Sequence, residues 1–170
     1  MKKILIVVDM QNDFIDGALG SCEAQAIVKN VREKLEKFDG EVIFTLDTHG
    51  EDYLKTQEGK KLPVPHCIKG SMGWELHPDL IELAKNRIEK PTFGAVSLPE
   101  YVCNLLGGEP SEIELVGLCT DICVISNAML LKAAFPETKI TVDSSCCAGV
   151  SPQSHQTALD AMRAVQIEVI

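Results

Sequence analysis

Apolar and polar positions along the chain alternate between two rhythms. Lys3–Val8 (KILIVV) is an almost unbroken apolar run, the pattern of a strand covered on both faces. Glu41–Leu46 (EVIFTL), Ile113–Leu118 (IELVGL), Lys139–Val142 (KITV) and Gln166–Ile170 (QIEVI) read as further strands, with a short strand-like segment at Ile88. Between them the spacing becomes helical. Ala24–Phe38 places Ala26, Ile27, Val31, Leu35 and Phe38 near one face, and Pro78–Lys85, Leu98–Leu106, Asp121–Phe135 and Pro152–Val165 follow the same period. Strands alternating with helices predict right-handed βαβ units. The expected fold class is therefore α/β, a single doubly wound, mainly parallel sheet with helices on both faces. In such sheets ligands bind beyond the carboxyl ends of the strands, and Asp9, Asp47 and Cys119–Cys123 each fall just after one. Gly50–Gly73, rich in Lys, Gly and Pro, is the one long irregular stretch, and loops of that length are often functional.

Composition narrows the function classes. A chain of 170 residues fits one domain, 1–170, and its 45% hydrophobic and 24% charged residues are those of a globular protein. The formal charge of −9 comes without a basic cluster, so a nucleic-acid partner is not expected. The apolar run Ile4–Val8 is too short for a signal-peptide core, and no stretch approaches the ~20 apolar residues of a membrane span. A cytoplasmic protein without a membrane partner is the expectation. Seven cysteines in a reducing compartment then read as free thiols, metal ligands or catalytic groups.

The strongest local signal is Gly117-Leu118-Cys119-Thr120-Asp121-Ile122-Cys123-Val124. With a strand ending at Leu118 and a helix capped by Thr120 or Asp121, Cys123 would lie in the first helical turn, where free N–H groups and the helix dipole favour a thiolate and could bind an oxyanion. The residues alone leave a second reading open, a buried apolar thiol facing the sheet. Asp9, ending the first strand, is either a proton carrier or a turn cap, because a carboxylate there is costly unless paired or functional. Lys90 would hold a Cys–Asp pair ionised, although taken alone it reads as a solvated lysine. Asp47-Thr48-His49 puts two side chains on one face, with His66 available from the long loop, a set that suits either a transition metal or a hydrogen-bonded Asp–His pair. Phe14 and Trp74 could stack on an aromatic substrate, Trp74 being the better candidate for packing, and His77 and His155 read as structural residues at helix starts.

Taken in order, VDMQNDF, DTH, PHCIKGSMGWELHPDL, KPTFGA and GLCTDICV resemble the isochorismatase-like cysteine hydrolases, and within them the nicotinamidases, across nearly the whole chain. The resemblance implies a catalytic triad of Asp9, Lys90 and Cys123, and an oxyanion hole from the backbone N–H groups of Cys119 and Cys123 beside a cis peptide. It implies Phe14 against the substrate ring, and a divalent metal on Asp47, His49 and His66, zinc first with iron or manganese as alternatives. The implied activity is hydrolysis of nicotinamide to nicotinate and ammonia through a thioester, by a homo-oligomer. An amidase for another small amide, such as an N-carbamoyl compound, is the alternative, and a catalytically silent binding protein a third reading. Four residues depart from the family. Pro63 stands where a tryptophan usually walls the pocket, Glu51 and Asp52 stand where some members place a further metal-contacting histidine, and Asn127 replaces a common threonine. A dinucleotide-binding protein would share the sheet, but no G-x-G-x-x-G follows the first strand.

Overall fold

A computed structural model describes residues 2–170. Six strands form one parallel sheet in the order β3-β2-β1-β4-β5-β6, with β1 Lys3–Val8, β2 Glu41–Asp47, β3 Asn86–Lys90, β4 Glu112–Leu118, β5 Lys139–Ala148 and β6 Glu168–Val169. The expected doubly wound sheet is therefore the observed one. The chain runs outward from β1 to β3 and then returns to the other side of β1, so the strand order reverses between β1 and β4. That crevice is where an open parallel sheet offers a ligand site.

The two-sided burial of β1 follows from its sequence. Ile4, Ile6 and Val8 face one core, closed by α5 (Leu98–Leu106), α6 (Ile125–Ala134) and α7 (Pro152–Ala164). Leu5 and Val7 face the other, closed by α1 (Asn12–Ile15), α2 (Cys22–Lys37) and α4 (Pro78–Ile81). Ser21 caps α2 by accepting the Ala24 N–H, and Ser151 caps α7 in a reciprocal capping box with Ser154.

Several expectations need correction. β3 is a full strand of five residues ending on Lys90, where the sequence offered only a short segment about Ile88. Its outer residues alternate with the two buried ones, Ile88 and Lys90, and a lysine at an inward position breaks the apolar pattern that periodicity reads. β5 continues six residues past Val142, because Asp143, Ser144 and Ser145 carry the strand through a polar patch. The long loop is not wholly irregular, since Tyr53–Lys55 form a 3-10 turn and Gln57–Lys61 form α3. The turn before α6 is a π-helical segment, Thr120–Val124, whose N-cap is Cys119 without a side-chain cap. Neither Thr120 nor Asp121 caps it. Thr120 instead hydrogen-bonds His155 at 2.7 Å, and Asp121 accepts the Val150 N–H at 3.1 Å.

Gly117 lets the strand ends converge. It pairs with Val8 at a φ of 116°, and a Cβ there would run into the Val8 carbonyl. β1 and β4 therefore finish side by side, one leading into Asp9 and the other into Cys119–Cys123.

Candidate active site

The ends of β1, β2, β3 and β4 deliver Asp9, Asp47, Lys90 and the Cys123 turn to one buried point. Lys90 is only 1% exposed and stands at its centre. Its three N–H donors go to Asp47 Oδ1 at 3.1 Å, the Thr92 carbonyl at 3.0 Å and Cys123 Sγ at 3.4 Å. Asp9 Oδ2 lies 2.6 Å from the same nitrogen as an ion pair but takes no hydrogen bond, while Asp9 Oδ1 accepts the Thr45 hydroxyl at 2.6 Å. One carboxylate oxygen is thus tied down and the other keeps free lone pairs beside the thiol. Asp9 reaches this place with a φ of 49° as the chain turns off β1.

The electrostatics differ from those expected of a thiolate at a helix start. Burial and the facing Asp9 carboxylate push the Cys123 thiol well above its ordinary value, and the Lys90 ammonium does not offset them. Burial also raises Asp9, against the pull of Lys90. Lys90 itself is raised despite its burial, because the Asp9 and Asp47 carboxyl groups beside it favour the ammonium form. Cys123 therefore rests as a thiol between Asp9 and the Lys90 ammonium. Cys119 is a second thiol at the cavity wall, pushed up to about 12 mainly by burial. The Leu118–Cys119 peptide is cis.

Asn127 ties this turn to the segment after β3. Its side-chain N–H groups donate to the Cys123 carbonyl at 2.8 Å and the Phe93 carbonyl at 3.2 Å, and its oxygen accepts the Ala95 N–H at 2.8 Å. An amide can serve all three partners, which a threonine hydroxyl cannot.

Asp47 also faces a second cluster. Its Oδ2 lies 2.9 Å from His49 Nε2 and 3.5 Å from His66 Nε2. Glu58 Oε1 lies 3.6 Å and 3.7 Å from the same two nitrogens. One donor atom from each of these four residues falls within 4.8 Å of the others. His66 Nδ1 donates to the Val64 carbonyl at 2.8 Å, which leaves Nε2 with the lone pair a metal requires. The two carboxylates oppose each other, since the Asp47 charge adds to burial in raising Glu58. A divalent cation would relieve that repulsion, and two imidazoles with two carboxylates suit zinc or a neighbouring transition metal. The residues therefore fit a divalent metal. Glu51 and Asp52 are exposed and take no part, whereas Glu58, overlooked in the sequence, supplies the fourth donor from α3. No motif marks it, because it lies nine residues beyond His49 in a short helix that loop composition hid.

A cavity of about 400 Å³ connects the two clusters. Phe14, Leu19, Ile122 and Val150 give it apolar walls, and Cys123, Asp47, Glu58 and His66 all line it. The Phe14 ring packs 5.5 Å from that of His66. Leu62 and Phe93 are part of the lining, whereas neither Pro63 nor Trp74 is. Trp74 packs on the α2 side of the sheet and donates its indole N–H to Thr48 Oγ1 at 2.9 Å. His77 is the N-cap of α4, the structural role expected of it.

A doubly wound sheet with a buried thiol and a metal-type donor set at its switch point defines a narrow class of enzymes, and comparison gives the family. The chain belongs to the isochorismatase family, the Isochorismatase domain matching residues 3–170. It is 31% identical over 174 residues to the uncharacterized isochorismatase family protein PncA of Bacillus subtilis, covering 94% of this chain and 93% of that one. It is 30% identical over 188 residues to the nicotinamidase/pyrazinamidase of Mycobacterium tuberculosis, covering 99% and 98%. Among solved structures, the pyrazinamidase of Pyrococcus horikoshii in complex with zinc superposes with a TM-score of 0.84 at 25% identity, covering 100% of this chain and 99% of that one. The N-carbamoylsarcosine amidase of Thermoplasma acidophilum superposes with a TM-score of 0.78 at 25% identity, covering 99% and 95%.

Proposed function

We propose that this protein hydrolyses the amide bond of nicotinamide, releasing nicotinate and ammonia, with Cys123 as nucleophile and Asp9 and Lys90 as its partners. The observation that carries the reading is one largely apolar cavity lined both by the thiol of a buried Cys–Asp–Lys set and by members of a four-donor metal-type cluster. The nicotinamidase relatives give it further support.

In this mechanism Phe14 and the apolar walls take the ring and bring the carboxamide carbon to Cys123 Sγ. Cys123 rests as a thiol, so attack requires that its proton pass to Asp9, whose free Oδ2 and raised pKa suit it to the task. The backbone N–H groups of Cys119 and Cys123 receive the developing oxyanion. Asp9 returns the proton to the departing ammonia and leaves an acyl thioester on Cys123. A water deprotonated by Asp9 then attacks that thioester, and the thiol regains its proton as nicotinate leaves. Lys90 holds the Asp9 carboxyl in place beside Cys123 and draws it back to the ionised form after each proton is passed on. A divalent metal, zinc in this reading, would be held by Asp47, His49, Glu58 and His66 and would supply a Lewis-acid contact for the pyridine nitrogen.

A second reading, an amidase for another small amide such as an N-carbamoyl compound, is favoured by one observation. The cavity edge carries Leu62 and Phe93 and no tryptophan. The proposal includes a homo-oligomer in the cytoplasm. The absence of any disulfide among the seven cysteines suits a reducing compartment, and among the described residues no helix is long and apolar enough to cross a membrane.

Ammonia release from nicotinamide, pyrazinamide and an N-carbamoyl amino acid tests these readings. Nicotinamide is expected to be the best of the three, and Cys123→Ala is expected to lose at least ~10³-fold in kcat while keeping its fold. Full activity in Cys123→Ala sinks the mechanism, and a strong preference for the N-carbamoyl compound selects the second reading. Light scattering of the purified chain decides the assembly state.

A further inference from the structure

Three side chains outside the reacting set hold the backbone of the metal-type cluster. Gln11 is fully buried between Asp9 and Phe14, and its amide embraces the Asp47 peptide. Its oxygen accepts the Asp47 N–H at 2.8 Å, and its nitrogen donates at 2.8 Å to both the Asp47 and the Trp74 carbonyls. Asp13 Oδ2 accepts the N–H of Cys67, the residue after His66, at 2.7 Å, and Asp13 Oδ1 accepts the Ala18 N–H at 3.2 Å. Gly73 leaves room for that carboxylate, since a Cβ there would collide with it. Trp74 completes the ring by bonding the hydroxyl of Thr48, which sits between Asp47 and His49 and itself donates to the Leu46 carbonyl at 3.0 Å. The two ligand segments are also joined directly, the His49 N–H donating to the Cys67 carbonyl at 3.0 Å and the Lys69 N–H to the His49 carbonyl at 2.9 Å.

We propose that Trp74, Gln11 and Asp13 are positioning residues that preset Asp47, His49 and His66 for a divalent metal, and that Trp74 senses its binding. The proposal rests on the metal part of the functional reading above but needs no particular substrate. None of the three side chains is among the four donors. Their effect is to fix ligand backbones that would otherwise lose freedom when the ion binds, and partners of this outer kind are worth about 10–100-fold in metal affinity. Trp74 is the sole tryptophan of the chain, so its emission comes from one indole hydrogen-bonded between two ligands.

The test titrates zinc into the metal-stripped full chain against a chromogenic chelator, and records tryptophan emission in parallel. Trp74→Phe removes the N–H donor and keeps an aromatic ring, and Asp13→Asn weakens the acceptor at nearly constant shape. Each is expected to bind zinc about tenfold more weakly, with excess zinc restoring nicotinamide hydrolysis. Asn12→Ala is the control, because Asn12 bonds the Met72 carbonyl at 2.8 Å and touches no ligand segment. It is expected to bind zinc within twofold of the parent, whose emission is expected to change until one equivalent is bound. Folded Trp74→Phe and Asp13→Asn proteins (by circular dichroism) that bind zinc like the parent overturn the proposal. So does an equal loss in Asn12→Ala, which would assign the effect to the loop as a whole. Emission indifferent to bound zinc overturns the sensing role. A parent chain that binds neither zinc, manganese nor iron removes the metal reading itself, whereas normal zinc binding without nicotinamide turnover removes only the substrate.

Discussion

Two lysines in this protein each hold two carboxylates, and they do different things. Lys34 on α2 reaches Glu114 of β4 and, at 2.5 Å, Asp143 of β5. Lys90 at the end of β3 reaches Asp47 and Asp9. The Lys34 side chain keeps 20% of its exposure, and its partners are hydrogen-bonded acceptors on the face that α2 covers. Lys90 itself has almost no exposed surface, one Asp9 oxygen lacks a hydrogen bond, and a thiol occupies the third donor. The first arrangement closes its own hydrogen bonds and so braces a helix on a sheet. The second leaves acceptor capacity beside a nucleophile, and incomplete satisfaction of buried polar groups marks a site that handles protons.

The largest effect that separates the two regions is expected from Lys90→Met. It strands the Asp9 and Asp47 carboxylates in the interior, and should destabilise metal-free protein by roughly 3–5 kcal/mol in urea unfolding while abolishing amide hydrolysis. Stability within 1 kcal/mol of the parent would show that Lys90 does not hold the two charges together.

Lys34→Met should cost about 1 kcal/mol, because its partners can turn to water, and should leave kcat/KM within twofold. A large loss of activity with intact stability would overturn the division between brace and site.

The smallest effect is in pH dependence, and its sign differs between the regions. Burial opposes ionisation of Asp143, but hydrogen bonds from Lys34 and Ser145 outweigh it and hold the carboxyl below its ordinary value. Its contribution to stability is therefore present above the unfolded pKa and disappears as pH falls through the depressed folded value. Asp9 is shifted the other way. Because it must be ionised to accept the Cys123 proton, the acid limb of kcat/KM should lie above the ordinary carboxylate range. Urea unfolding and steady-state kinetics across pH 3–8 should thus show activity failing, as pH is lowered, before this stability term does. A reversed order would contradict the assignment of Asp9 as proton carrier.

Much of the scaffold was readable in one dimension. The apolar run of β1 announced a strand buried on both faces, and the alternation of elements implied a parallel sheet whose ends carry the chemistry. Asp9, Asp47 and the Cys123 turn were legible because each follows such a strand, a local property of the chain. Lys90 was legible only through the family motifs, since a buried lysine and a solvated one look identical in sequence.

The missed features share a cause. Glu58 enters the donor cluster from a loop helix, and its partners lie nine, eleven and eight residues away in sequence, at His49, Asp47 and His66. Trp74 packs against the core as its sequence reading preferred, but its indole bond to Thr48, 26 residues away, had no local signal. The expected thiolate became a thiol because burial outweighs a nearby ammonium, and burial is a sum over the whole surrounding structure.

The sequence by itself determined the strands and most helices, the family, and the order in which reactive residues meet the ends of the sheet. Periodicity and strand termini are local, so they survive in a linear text. Only the tertiary structure decided which four donors share a cation-sized space, which carboxylate oxygen stays free, and which protonation state the nucleophile holds. Those depend on distances between segments remote in sequence and on the exclusion of water, and both exist only once the sheet has closed around Lys90.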